Sequence, residues 1–295
     1  EYRPRESGNA GLEELQQSAA LVEKGVPLSP ELAQAIHHGT SIGGARPKAL
    51  IKGDGRKYIA KFSSGTDIYN MIKAEFVAMR LARKCGLDAS LVELTEVAGK
   101  DVLLIERFDR EQKSGAWARK LMLSALTLLN LDEMTARYAS YQDLAEIIRH
   151  RFVDPKKSLE ELFGRVVFNI LCGNTDDHAR NHAAFWDGRA LALTPAYDIC
   201  PQLRTGGEAT QAMAITDSDK SSRLTTCLKA APHFLLTAER AREIIGAQIQ
   251  AIKTHWDEIC EQVQLSEVDE KLFAERMFFN NYAFEGFDND DSKES

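Results

Sequence analysis

Asp176 and Asn181 stand five positions apart in the run Asn174-Thr-Asp-Asp-His-Ala-Arg-Asn181, and Asp198 follows in Thr194-Pro-Ala-Tyr-Asp-Ile199. A carboxylate, an amide and a second carboxylate are the parts that phosphoryl transfer requires. One carboxylate orients and deprotonates an attacking hydroxyl, and the remaining oxygens hold Mg²⁺ against nucleotide phosphates. A polar surface loop would equally explain the Asp176/Asn181 pair taken alone. Asp198, one small hairpin later, turns the run into a candidate site.

Protein kinases space their base Asp and metal-binding Asn in this way and place the second metal-binding Asp in Asp-Phe-Gly, where this chain has Tyr-Asp-Ile. Such chemistry also needs cations on the phosphates. Lys61 lies in the strand-like run Tyr58-Ile-Ala-Lys61-Phe, where an unpaired ammonium would be costly. Glu75 is its expected partner, within the stripe Ile68, Ile72, Met79 and Ala82 of one predicted helix. A solvent-facing Glu75 is the plainer alternative. Gly39 to Lys48 is rich in small residues that let backbone N–H groups approach phosphates, but it fits neither the Walker pattern nor Gly-x-Gly-x-x-Gly. A tight turn would explain it as well. Glu106 and Phe108 end a strand where the chain would cross between two lobes, so their backbone and ring could meet an adenine.

These residues must be positioned by particular elements. Lys48–Lys52 and Arg56–Phe62 read as strands around Gly-Asp-Gly, and Leu91–Glu96 and Asp101–Phe108 as another hairpin. Asp67 is the expected N-cap of a helix running to Cys85, which Gly86 stops. Leu12–Lys24 has helical spacing, and Pro30-Glu31 suggests a second helix start. Beyond Arg110 strands are expected to be few. Leu121–Leu129, Tyr141–Arg151, Leu159–Leu171 with Ser158 as cap, Thr237–Val263 and Glu267–Phe279 read as helices, and Ala183–Leu193 as a hairpin. The tail from Asn280 is acidic and expected to lack fixed structure. The fold class expected is α+β, with a strand-rich small lobe over 1–108, a helical lobe over 109–280 and a tail over 281–295.

The 295 residues carry 44% hydrophobic and 27% charged side chains, as in a globular protein. No apolar run approaches the roughly 18–20 residues of a membrane span, and residues 1–20 are polar and acidic, unlike a signal peptide. Five scattered cysteines without Cys-x-x-Cys spacing fit reduced thiols and a cytoplasmic location. A net charge of −7 argues against broad nucleic-acid binding by the chain alone.

Together the motifs resemble the HipA family of bacterial Ser/Thr kinases, the toxin halves of HipBA-type toxin–antitoxin systems. Thr40-Ser-Ile-Gly-Gly-Ala-Arg-Pro-Lys48, Ile59-Ala-Lys61, Glu106-Arg-Phe-Asp-Arg110 and the two runs quoted above occur in the family's order. The resemblance implies a two-lobe kinase-like fold using ATP and Mg²⁺, with Asp176 as general base and Asn181 and Asp198 as metal ligands. It assigns Gly43, Gly44, Ala45, Arg46, Pro47 and Lys48 to the phosphate loop and Lys61 to the phosphates. Glu106, Arg107 and Phe108 would meet the adenine, and His178, Ala179, Arg180, Asn181 and Tyr197 the rest of the nucleotide. Ser41 matches the residue that such kinases autophosphorylate, although it could be only a small turn residue. An aminoacyl-tRNA synthetase is the implied substrate and a helix-turn-helix antitoxin the implied partner, through which alone DNA would be contacted.

One departure stands out. Only residues 1–38 precede Gly39, where most members carry a further small β-rich subdomain. Either the chain is trimmed or a separate small protein supplies that part. His178 and His182 have zincin spacing, but Ala179 stands where the general-base Glu is required, so that reading fails. A small-molecule kinase, and a kinase-like co-repressor scaffold without activity, remain as alternatives.

Overall fold

The computed structural model describes residues 11–23, 46–53, 55–204 and 206–287. Ser41, Gly43, Gly44 and Ala45 lie outside the described residues, as does the helix start expected at Pro30.

Both small-lobe hairpins form. β1 (Lys48–Gly53) turns through Gly55, at φ 72°, into β2 (Arg56–Phe62). β3 (Val92–Val97) and β4 (Lys100–Glu106) are joined by Ala98 and Gly99, and the antiparallel order is β1-β2-β4-β3. Register opposes Lys48 to Lys61, Leu50 to Ile59 and Lys52 to Lys57. Directly opposed residues share a face, so these six line one side of the sheet. Ala49, Ala60 and Phe62 fall on the other side and pack with Val102 and with Leu15 and Ala19 of α1 (Leu12–Glu23).

α2 (Met71–Lys84) starts later than expected. Asn70 caps it by accepting from the Lys73 N–H at 3.0 Å. Asp67 instead accepts from the Ser64 N–H and from Arg46, and Ile68 is 79% exposed, off the stripe. From Ile72 onward the stripe is buried, and it includes Glu75, Met79 and Ala82. α2 packs against α7 (Ala238–Gln262), with Lys73 Nζ donating to the Gln264 carbonyl just beyond it.

Past Arg110 the chain holds more strands than its spacing suggests. β5 (Arg110–Lys113) and β6 (Ala116–Arg119) pair around Ser114 and Gly115, both at positive φ. The helix expected over 121–129 divides into β7 (Met122–Ser124) and the one-turn α3 (Ala125–Leu128). Its first residues are taken by a ladder with β8 (Ala183–Trp186), so tertiary pairing overrides local periodicity. β9 (Leu191–Leu193) completes the expected hairpin with β8.

α4 (Tyr141–Arg151), α5 (Pro155–Leu171), α6 (Leu224–Ala230), α7 and α8 (Glu267–Arg276) build the larger lobe. Asp154, not Ser158, caps α5, because Pro155 fits the first helical turn where its missing N–H costs nothing. Residues 281–287 are ordered, contrary to expectation. Asn281–Phe284 makes a 3-10 turn with Tyr282 and Phe287 buried. Just before it, the Phe279 N–H donates to the Leu171 carbonyl at 2.8 Å, and the Arg204 N–H donates to Arg276 at 3.1 Å. Among the described residues no helix is long and apolar enough to cross a membrane.

Candidate active site

Asp176 reaches the surface through a loop that leaves α5 by a turn only glycine can make. Gly173 has φ 72°, and a Cβ there would stand 2.5 Å from the Met277 carbonyl oxygen. Asn174 then ties back to Asn169, by N–H to carbonyl at 2.8 Å and amide to amide at 2.9 Å. The Asp176 side chain is exposed, and its carboxylate makes no hydrogen bond or ion pair with the described residues. Asn181 is buried, donates its N–H to the His178 carbonyl at 2.8 Å and places its side-chain amide 3.4 Å from the Asp176 carbonyl. Base candidate and amide therefore occupy one short turn.

The adjacent Asp177, 3% exposed, is the anchor of this loop. Its Oδ2 accepts from the Tyr141 hydroxyl, from Asn169 Nδ2 at 2.7 Å and from His182 Nε2 at 2.8 Å. His182 Nδ1 has no partner among the described residues, so Nε2 is the nitrogen that donates. None of these four was singled out for such a role from the sequence, where His182 was weighed only as half of a zinc pair. The usable signals were the Asp176-Asp177 doublet and a lone Asn169 in the apolar run of α5.

Asp198 comes from the segment after β9 and adopts φ 62°, a left-handed conformation costing a non-glycine residue on the order of 1 kcal/mol. Its neighbours fix it there: the Tyr197 hydroxyl donates to the Arg180 carbonyl at 2.6 Å, and the Ala196 N–H to Asp88 at 2.7 Å. Lys61 Nζ meets Glu75 Oε1 at 2.6 Å and also pairs with the Asp198 carboxylate. One ammonium thus joins the sheet, α2 and the larger lobe.

The electrostatics follow from this contact. Burial works against the Lys61 charge, but Glu75 and Asp198 outweigh it and raise its pKa. The Lys61 ammonium holds the Asp198 carboxyl below the ordinary carboxylate value. Burial pushes Glu75 up, with Lys61 opposing. Lys48, across the ladder from Lys61, is lowered by burial and then by that neighbouring charge.

Other expected residues divide. Arg46 turns to Asp67, a contact that also approaches the Met71 sulfur. Arg180 pairs outward with exposed Glu133, and Ala179 lies in the core with its carbonyl taken by the Leu126 N–H. Glu106 pairs with Arg56 at 2.9 Å, and Arg107 with Asp109 at 2.7 Å. The Glu106 and Arg107 N–H groups are bonded to Leu91 and Lys57, leaving the Phe108 N–H without a partner among the described residues. Phe108 packs against Phe185 and Tyr197, at ring separations of 5.8 and 5.6 Å. Pro47, half-buried, gives its carbonyl to the Phe62 N–H.

No cluster of three His, Cys, Asp or Glu that could hold a metal occurs among the described residues. Asp198 and the Asn181 amide are nonetheless hard oxygen donors. One or two such side chains completed by substrate phosphates and water is how Mg²⁺ is commonly held. A cavity of about 590 Å³ lies elsewhere, between Cys85, Gly164 and Arg240, and contains none of these residues.

Comparison with known proteins bears on the fold and the family. The chain is 23% identical over 204 residues to the serine/threonine-protein kinase toxin HipA of Shewanella oneidensis, covering 60% of this chain and 47% of that protein. It spans between a third and about half the length of the curated relatives it matches. The structure of S. oneidensis HipA with HipB and operator DNA superposes with a TM-score of 0.66 at 20% identity, over 79% of this chain and 61% of that one. The Helicobacter pylori proinflammatory kinase CtkA superposes with a TM-score of 0.51 at 18% identity, over 79% and 93%. These likenesses establish a two-lobed, protein-kinase-like fold. The model of the HipA-like C-terminal domain matches residues 40–256. The chain belongs to the HipA-like C-terminal domain family.

Proposed function

We propose that this chain is an ATP-dependent Ser/Thr protein kinase acting as the toxin of a toxin–antitoxin pair. The observation that carries the reading is the convergence on Lys61 of Glu75 from α2 and Asp198 from the larger lobe. A buried ammonium bridging the lobes can grip phosphates, and Asp176, exposed and unpaired among the described residues, can serve as a free base.

Lys61 would hold phosphate oxygens, with Arg46, Pro47 and Lys48 at the start of the same sheet and Gly43, Gly44 and Ala45 leading into it. Phe108 would offer its ring to the adenine and its N–H, without a partner among the described residues, a hydrogen bond, with Glu106 and Arg107 supplying the adjoining backbone and Tyr197 meeting the rest of the nucleotide. His178, Ala179 and Arg180 shape the turn carrying Asn181. Asn181 and Asp198 would hold Mg²⁺, whose chemistry when bound is to neutralise charge on the phosphates. Asp176 would take the proton of the acceptor hydroxyl as its oxygen bonds to the γ-phosphorus. The bond from that phosphorus to the β–γ bridging oxygen breaks, and ADP leaves.

Ser41 is assigned as the self-phosphorylated residue. An aminoacyl-tRNA synthetase is the proposed acceptor, and a helix-turn-helix antitoxin, with DNA bound through it, the proposed partner. A separate small protein would stand in for the β-rich subdomain.

The test is incubation of the full chain and a bacterial lysate with γ-labelled ATP, followed by identification of labelled proteins and of label on Ser41. Asp176→Asn should keep Mg-ATP affinity and lose transfer by roughly 10²- to 10⁴-fold. Asp198→Ala and Asn181→Ala should weaken Mg-ATP binding in calorimetry more than Asp176→Asn does. Transfer by Asp176→Asn at the wild-type rate, or equal affinities in all three variants, contradicts the assignment.

A further inference from the structure

We propose that Asp177 is a positioning residue for Asp176, acting through the donors Tyr141, Asn169 and His182; the inference rests on the kinase reading above. A carboxylate this deeply buried persists only when its oxygens are hydrogen-bonded. Here one oxygen collects three donors from three elements: α4, α5 and the far end of the loop itself. Asp176 lacks any such support. With no partner for its own carboxylate among the described residues, its direction is set by the backbone it shares with Asp177.

The two halves of the loop are held differently. On the Asn181 side, main-chain bonds do the holding: Leu126 N–H to the Ala179 carbonyl at 3.1 Å, Ala125 N–H to the His182 carbonyl at 2.7 Å and Asn181 N–H to His178 at 2.8 Å. On the Asp176 side, the main chain is held by Ala212 N–H to Thr175 at 3.1 Å and by the Asn174–Asn169 bonds, and the residue next to the base is fixed by its side chain. Asn169 serves both ends, accepting from Asn174 through Oδ1 while donating to Asp177 through Nδ2. Neutralising Asp177 therefore loosens the base first, while the three main-chain bonds still hold the metal-binding turn.

Asp177→Asn keeps the volume but offers the three donors one acceptor and two N–H groups. Misplacing a reacting group by about 1 Å costs on the order of 10²-fold in rate. Transfer from γ-labelled ATP to lysate proteins and to the chain itself should fall by about 10²-fold in Asp177→Asn, with the Mg-ATP dissociation constant within about threefold of wild type. Because Asp177 acts through Asp176, adding Asp177→Asn to Asp176→Asn should slow transfer no further. His182→Gln, which retains a donor, should keep most of the rate that His182→Leu loses.

Additive losses in the double variant would place the effect of Asp177 elsewhere. Parallel loss of Mg-ATP binding, or a wild-type rate in Asp177→Asn, would also overturn the inference. Should Asp177→Asn not fold, Tyr141→Phe removes a single hydroxyl from the same oxygen and carries the same cycle. Full transfer by Asp176→Asn, or none by wild type, removes the kinase reading and this inference with it. Loss in Asp176→Asn alone removes only the inference.

Discussion

Replacing Glu75 by alanine strikes the contact that joins the lobes. The wild-type pair is 2.6 Å long, with the Lys61 and Glu75 side chains only 8% and 3% exposed. Removing one partner of a buried pair costs about 3–5 kcal/mol, because the other charge stays behind uncompensated. Lys61 retains Asp198, whose side chain is 41% exposed and so compensates only in part. We therefore expect the lower end, about 3 kcal/mol, or a fall of roughly 6–12 °C in Tm at ~2–4 °C per kcal/mol. Urea unfolding of wild type, Glu75→Ala and Lys61→Met, with the double variant, gives the coupling between the two residues. Glu75→Gln, which keeps one acceptor and the volume, should fall between wild type and Glu75→Ala. Mg-ATP affinity should drop about tenfold in Glu75→Ala, since Lys61 then leans on Asp198 and turns from the phosphates. A loss under about 1 kcal/mol together with unchanged affinity would show that Glu75 does not hold Lys61 in solution.

Two further expectations concern the loop and pH. Gly173→Ala forces a side chain into the Met277 carbonyl at φ 72°, and should cost more than about 1 kcal/mol in urea unfolding and reduce phosphoryl transfer as well. For Asp198 the folded pKa lies below the unfolded one, so between the two the unfolded chain binds more protons and stability rises with pH. Its contribution is full above the ordinary carboxylate range and is lost as pH falls through the folded value. The stability difference between wild type and Asp198→Asn should begin to close as pH falls through the ordinary carboxylate value of about 4, and a difference that widens as pH falls would count against the Lys61–Asp198 pair.

The candidate site residues could be picked out because types and order are all the reading requires. Lys61 and Glu75 could be paired because a lysine in an apolar strand needs a partner and Glu75 shares the phase of one helix stripe, and the two small-lobe hairpins from glycine turns between alternating strands. Where the reading failed, a distant partner decided. Asp67 looks like a cap until Arg46 takes it, and Leu121–Leu129 has helical spacing until β8 claims its first residues. The β5–β6 hairpin was announced by Ser114-Gly115 and masked by its charged strands. Asp177 could not be ranked above Asp176 by type, since only burial separates an anchor from a base.

The bonds from Phe279 to Leu171 and from Arg204 to Arg276, with the Met277 carbonyl close against Gly173, place the wall behind the Asp176 loop beyond residue 256, where the match to the family model ends. The family model and the fold thus draw different borders on this chain. A fragment cut at residue 256 would keep every candidate site residue and lose the backing behind Gly173. Rate could be retuned from the rear, by substitutions no comparison of active-site motifs would notice.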